Sequence, residues 1–267
     1  MAELRTQQVT LFYKIYGEGF PLFLVSGFGV NHSLWSGIIS RLSESYRVIV
    51  LDNRGAGRSS IPVEPYSIAE LACDIAELAQ HLDITSAYFC GNSMGGFILQ
   101  ELAYQFPSLV KKMIISNSAY STETSFGCFA QARFEWFDLP VSPEVSRSFV
   151  KASCSYAYSY KFLSIPGKLD EIIDQALADP YPITKLGYAG QMNALSDFDF
   201  SDQVSNINVP TLVLAGDQDI IFSQAMTRAL ADALPNAEYY LFKQCGHLPH
   251  IEYPDKFIQL LQSFFPA

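Results

Sequence analysis

Ala87-Tyr88-Phe89-Cys90-Gly91-Asn92-Ser93-Met94-Gly95-Gly96-Phe97-Ile98-Leu99 carries the pattern on which the fold turns. Four apolar residues lead into Gly-x-Ser-x-Gly. The run that follows places Phe97, Ile98, Leu102 and Phe106 near one stripe of a helix. A serine at a sharp strand-to-helix turn is pushed clear of the sheet with strained backbone angles. Small residues two before and two after it let helix and strand approach closely. The helix start adds backbone N–H groups and a positive dipole end where an oxyanion would develop. A chance match is the competing reading, and the strand–turn–helix context weighs against it.

Working outward, short apolar runs alternate with helical patterns. Strands are expected at Val9–Tyr16, Leu22–Val25, Arg47–Leu51, Ala87–Cys90, Lys112–Ser116, Thr211–Ala215 and Glu238–Phe242. Most are continuously apolar, as strands covered on both faces are. Ser67-Ile-Ala-Glu70 reads as a capping box, followed by Leu71, Ile75, Leu78 and Leu82 on one face. Ser223 can cap a helix running through Leu234, and Pro254 can open a last helix. The alternation predicts an α/β fold with a mostly parallel central sheet and helices on both faces.

One segment interrupts it. Residues 121–194 contain no good strand and are rich in aromatics, among them Phe126, Phe129, Phe134, Trp136, Phe137, Tyr156, Tyr158, Tyr160 and Tyr181. Prolines and Pro166-Gly167 break the segment into several helices. The expected organisation is a core of 1–120 and 195–267 with a helical cap at 121–194. Extra core helices without a substrate role are the plainer alternative. Trp136, Phe134, Tyr120 and Leu248 are candidate pocket residues.

Composition sets limits on function. Hydrophobic residues make up 49% of the 267 residues and charged ones 16%, enough to bury a large core. A formal net charge of −10 disfavours a broad nucleic-acid surface, which needs clustered Lys and Arg. The N-terminal run lacks the basic start and apolar stretch of a signal peptide, and no apolar stretch is long enough to cross a bilayer. A soluble, cytoplasmic protein is expected. Cys73, Cys90, Cys128, Cys154 and Cys245 are odd in number and show no CxxC spacing, so free thiols are expected. No metal cluster and no cofactor motif stand out. Asp52-Asn-Arg-Gly-Ala-Gly-Arg-Ser59 is glycine-rich but lacks the Gly-Lys-Ser/Thr ending of a phosphate loop.

A serine hydroxyl needs a base to remove its proton, and the base needs a carboxylate to fix its tautomer. Of four histidines, His81 falls in a helix and His32 in an early loop. His247 lies in Cys245-Gly-His-Leu-Pro-His250, between the last strand and the last helix. That loop leaves the carboxyl edge of the sheet, where a base can hang over the nucleophile. His250 competes but falls close to the final helix. Two aspartates follow the strand at 211–215, Asp217 and Asp219, and both are candidates; a turn-forming or solvated role is the alternative.

The chain resembles the α/β-hydrolase superfamily over nearly its whole length. The likeness rests on the order Ser93, Asp219, His247 and on several segments: Val25-Ser-Gly-Phe-Gly29, Leu51-Asp-Asn-Arg-Gly-Ala-Gly-Arg-Ser59, Gly91-Asn-Ser-Met-Gly95, Val209–Asp219 and Gly246-His-Leu-Pro-His-Ile-Glu252. It looks most like the capped branch of esterases, enol-lactonases and carbon–carbon bond hydrolases. The resemblance implies Ser93 as nucleophile, His247 as base and Asp219 as acid. It implies an oxyanion hole from the backbone N–H groups of Met94 and Phe28. The chain departs from the pattern at Ser26-Gly27, where many relatives carry His-Gly; that His usually holds the loop, and Ser26 could do a lesser version of the job.

The expected activity is cleavage of a carboxylic ester, or a related acyl bond, of a small and largely apolar molecule through an acyl-enzyme. A lactonase, a perhydrolase or a carbon–carbon bond hydrolase would use the same triad. An acyl carrier protein bearing the ester is a further expected partner class, which would draw on Arg133, Arg147, Lys151 and Lys161; ordinary solvated charge is the plainer reading of those four. A non-catalytic ligand receptor on the same fold is the rival from another class.

Overall fold

Strands β2 (Thr10–Tyr16), β3 (Phe20–Val25), β4 (Tyr46–Leu51), β5 (Ala87–Asn92), β6 (Val110–Ser116), β7 (Thr211–Gly216) and β8 (Ala237–Phe242) occupy the seven apolar runs of the sequence. A computed structural model describes residues 2–6, 8–122, 124–140, 142–196 and 198–266, the side chains of 124–126 excepted, so the candidate aromatic side chain of Phe126 lies outside what is described. With β1 (Ala2–Arg5) at one edge, the eight-stranded sheet has the order β1-β2-β4-β3-β5-β6-β7-β8. From β4 to β8 all neighbours are parallel, while β2 pairs antiparallel with both β1 and β4. The added strand β1 (Ala2–Arg5) was not expected. Its four residues alternate half-buried and exposed at the sheet edge, too short and polar to show a period.

Alternation along each strand divides the core. Phe23, Val25, Ile49, Leu51, Phe89 and Ile115 face one side. There they meet helices α2 (Ile68–His81), α3 (Met94–Gln105) and α9 (Gln224–Ala233). Leu22, Leu24, Val48, Val50, Ile114 and Leu214 face the other, against α1 (Ser36–Leu42) and α11 (Pro254–Phe264). The capping box forms as expected: Ser67 Oγ accepts from Glu70 N–H, and the Glu70 carboxylate accepts from Ser67 N–H. Ser223 caps α9 by accepting from Met226 N–H. Helix α1 was not foreseen, since its seven residues include Ser36-Gly37 and two further serines or arginines before Leu42.

Between β6 and β7 the chain leaves the sheet. It forms α4 (Thr124–Glu135), α5 (Pro143–Ala157), α6 (Tyr160–Leu163), α7 (Lys168–Leu177) and α8 (Lys185–Ser196), with no strand among the described residues. The two crossings are stitched together. Ser121 bridges antiparallel to Asp199, and Phe200 N–H donates to the Tyr120 carbonyl at 2.8 Å. A short α10 (Pro249–Glu252) follows β8.

The strand order turns at β3. Its next strand in sequence, β4, lies on one edge and β5 on the other. The loops after β3 and β5 therefore meet at the carboxyl edge, where open α/β sheets form their crevices. No helix among the described residues is long and apolar enough to cross a membrane.

Candidate active site

Ser93 stands between β5 and α3 at φ 57° and ψ −122°. Such a backbone costs on the order of 1–3 kcal/mol for a non-glycine residue and needs support from both sides. Support is present. Ser93 N–H donates to the Ser116 carbonyl at 2.9 Å, and the Ser93 carbonyl accepts from Gly96 N–H at 2.8 Å. A Cβ on Gly91 would lie 2.5 Å from the Gly95 carbonyl oxygen, and one on Gly95 would lie 2.3 Å from that of Val25. Both glycines are thus dictated by close backbone approach. The loop after β3 touches the serine itself: a Cβ on Gly27 would sit 3.1 Å from Ser93 Cβ and 3.6 Å from its Oγ. Met94 opens α3, in the first turn, where N–H groups have no intrahelical acceptor.

His247 sits in the loop between β8 and α10, buried, with Nδ1 2.8 Å from Asp219 Oδ2. The carboxylate is itself held. Its Oδ1 accepts from the N–H groups of Ile221 at 2.8 Å and Phe222 at 3.1 Å, and its Oδ2 accepts from Asn117 Nδ2 at 2.8 Å. The histidine backbone is tied at both ends. Its N–H donates to the Ala157 carbonyl at 2.9 Å, and its carbonyl accepts from Asn92 Nδ2 at 3.2 Å. Asn92 precedes the serine, so the serine turn and the histidine loop are joined directly.

Two residues absent from the sequence-based candidates complete this shell. Asn117, directly after β6, has φ 51° and also donates to the Gly246 carbonyl at 3.2 Å. Its only sequence signal is an amide directly following an apolar strand. Glu252 accepts from Gly246 N–H at 2.9 Å and Ser159 N–H at 3.1 Å through Oε1, and from Ser159 Oγ through Oε2. Burial raises its pKa, against these hydrogen bonds, which lower it. It fastens the histidine loop to the helical insert.

The competing candidates take other roles. Asp217 accepts from Cys245 N–H at 3.3 Å and shapes the turn after β7. His250 is buried, its ring 4.4 Å from that of Trp35 and 5.7 Å from that of Phe257. Burial, with His247 nearby, pushes its pKa down to about 3. His32 lies with Nδ1 2.7 Å from Asp52 Oδ1, while Arg54 makes two 2.6 Å hydrogen bonds to Asp74. The glycine-rich turn at 52–59 is therefore occupied by internal pairing.

The sequence of residues 21–254 matches the family model for the alpha/beta hydrolase fold. The chain belongs to the α/β-hydrolase fold family. Among curated relatives, 3-oxoadipate enol-lactonase 2 of Acinetobacter baylyi is 30% identical over 262 residues, covering 97% of this chain and 94% of its own. Among solved structures, Est816, described as an N-acyl homoserine lactone degrading enzyme, is 28% identical with a TM-score of 0.84. It covers 99% of this chain and 100% of its own. The enol-lactonase from Burkholderia xenovorans LB400 is 26% identical with a TM-score of 0.83, covering 98% and 99%.

In this α/β hydrolase the remaining candidates are dispersed. Phe28 packs its ring on Tyr188 of α8 at 4.4 Å, and Phe134 lies 6.3 Å from the same tyrosine ring. Trp136 makes its ring contact with Phe149 at 4.6 Å, inside the insert. Tyr120 lies half-buried where the insert leaves the sheet, and Leu248 is buried beside His247. Of the basic residues, Arg147 is paired with Asp170 and Asp174, and Arg133 lies over the rings of Phe149 and Tyr188. Among the described residues no group of His, Cys, Asp and Glu is gathered as a metal site.

Proposed function

We propose that this hydrolase cleaves carboxylic esters of small, largely apolar molecules through an acyl-enzyme on Ser93. The observation that carries the reading is the His247–Asp219 pair at 2.8 Å, tied through Asn92 to a strained serine turn. With Nδ1 engaged by the carboxylate, Nε2 is the nitrogen left to receive the Ser93 proton. Ser93 Oγ attacks the carbonyl carbon as His247 takes its proton. The N–H groups of Met94 and Phe28 hold the oxyanion, and Asp219 stays ionised. The intermediate collapses, the C–O bond to the leaving alcohol breaks, and the alcohol departs with the proton from His247. Water then attacks the acyl-enzyme by the same route and frees Ser93.

The insert of α4–α8 serves as a cap over this site. The aromatic group of Phe28, Tyr188, Phe134 and Phe137 supports an apolar acyl or alcohol part. The relatives named as enol-lactonases and as a lactone-degrading enzyme support the inclusion of cyclic esters among the substrates.

The test is Ser93→Ala, assayed on short-chain aryl esters beside a lactone panel and ring-cleavage diketones. Loss of essentially all turnover is expected. Turnover equal to the parent in purified protein would remove the nucleophile, and fluorophosphonate labelling of a different serine would do the same.

A further inference from the structure

The loop after β3 carries the second oxyanion donor of the proposed mechanism, yet residues 26–31 form no part of a strand or helix. Its shape is set by side chains. Ser26 Oγ donates to the Asn31 carbonyl at 3.1 Å, and Asn53 Nδ2 donates to the Ser26 carbonyl at 3.0 Å. These bonds secure the loop's two ends. Its middle is met by the insert. Gln191 of α8, fully buried, accepts from Gly29 N–H at 2.9 Å through Oε1 and donates to the Arg54 carbonyl at 2.9 Å through Nε2. Only one orientation of the amide satisfies both partners, so the acceptor faces the loop.

Gly29 lies at φ 73°, in the left-handed region, and its N–H, in the peptide plane that directly follows Phe28, is held by Gln191. One turn earlier on the same face, Tyr188 packs its ring on Phe28 at 4.4 Å and donates its hydroxyl to the Ala130 carbonyl. The helix bearing both residues packs closely on the core. A Cβ on Gly187 would lie 2.0 Å from the Gly55 carbonyl oxygen, and one on Gly190 would lie 2.8 Å from the Tyr66 ring. Backbone therefore packs on backbone where α8 meets the turn at 52–59.

We infer that Gln191 is a positioning residue of the oxyanion hole, acting through Gly29 to aim the Phe28 N–H. The inference rests on the serine mechanism proposed above.

The experiment compares the parent with Gln191→Met, which keeps the side-chain length and removes both amide groups, and with Gln191→Glu, which keeps an acceptor for Gly29 and should retain most of the turnover that Gln191→Met loses. Expected for Gln191→Met is a fall in kcat of about ten- to a hundredfold on an aryl ester with KM changed less than about threefold, since small misplacement of a transition-state contact costs turnover rather than binding. The Ki of an aryl trifluoromethyl ketone, which forms a tetrahedral adduct, should rise by the same factor. A purely structural role would lower the melting temperature and leave kcat and Ki of the folded enzyme within twofold, and that result would overturn the inference. Ser93→Ala run in parallel separates the failures. An active S93A enzyme removes the serine mechanism and this inference with it, whereas a dead S93A beside an unimpaired Q191M removes only the role of Gln191. Should Q191M not fold, amide exchange of Gly29 in the parent decides: protection well beyond that of an exposed loop is expected, and an unprotected rate refutes the prop.

Discussion

Replacing Asn117 tests whether the Asp219 carboxylate is held by more than its own loop. The buried Asn117 amide donates to Asp219 Oδ2 at 2.8 Å and to the Gly246 carbonyl at 3.2 Å. A hydrogen bond to a charged group contributes about 1.5–3 kcal/mol, and one to a neutral carbonyl about 1 kcal/mol. At φ 51° an alanine adds roughly 1 kcal/mol of backbone strain, which glycine avoids. Asn117→Ala should therefore destabilise by about 4 kcal/mol and Asn117→Gly by about 3 kcal/mol. Asp219 keeps the N–H groups of Ile221 and Phe222, so it stays anchored through Oδ1 while Oδ2 loses a partner. Turnover should fall by roughly tenfold in both variants, because both release the carboxylate oxygen that faces His247. Urea unfolding of the three proteins gives the stability differences, and aryl-ester kinetics give the turnover. An alanine variant within about 0.5 kcal/mol of the parent would refute the hydrogen-bond account. Equal stability of the two variants would refute the strain account alone.

Two further outcomes follow from packing and burial. His250 has its pKa pushed from 6.5 down to about 3, so the folded chain holds it neutral while the unfolded chain protonates it. The stability this confers is fully present above pH 6.5 and is lost as the pH falls toward 3. Between pH 6.5 and pH 4 the loss amounts to roughly 3 kcal/mol. His250→Phe, which can pack against Trp35 and Phe257, should flatten that part of the stability profile measured by urea unfolding; an unchanged slope would assign the acid sensitivity elsewhere. Gly95→Ala would improve the propensity of α3 in isolation, but its Cβ would meet the Val25 carbonyl at 2.3 Å. A destabilisation of about 3 kcal/mol or more is expected by calorimetry, and a stability equal to the parent would show that the turn can open.

Much of the fold was legible because local chemistry and tertiary role agree. The capping box at Ser67 and Glu70, the cap at Ser223 and the seven apolar runs mark elements whose signals lie within a few residues. β1 and α1 escaped because each is short and owes its order to neighbours, β1 to its pairing with β2 and α1 to burial of Ile38, Ile39 and Leu42 against the sheet. Within the candidate site, Ser93, Asp219 and His247 could be named because each terminates or follows a strand in a recognisable segment. Asn117, Glu252 and Gln191 could not. Each is a common polar residue with a partner far off in sequence, 102, 93 and 162 residues away respectively.

By itself, then, the order of residues determined that a parallel sheet forms, that a serine is expelled from it at a glycine-flanked turn, and that a helical stretch interrupts the alternation. These are consequences of period, size and backbone freedom, which act over a few positions. Only the tertiary structure decided what holds the carboxylate, the imidazole loop and the turn at Gly29 in place. Buried polar groups must find partners wherever packing presents them, and those partners come from the insert and from strands distant along the chain.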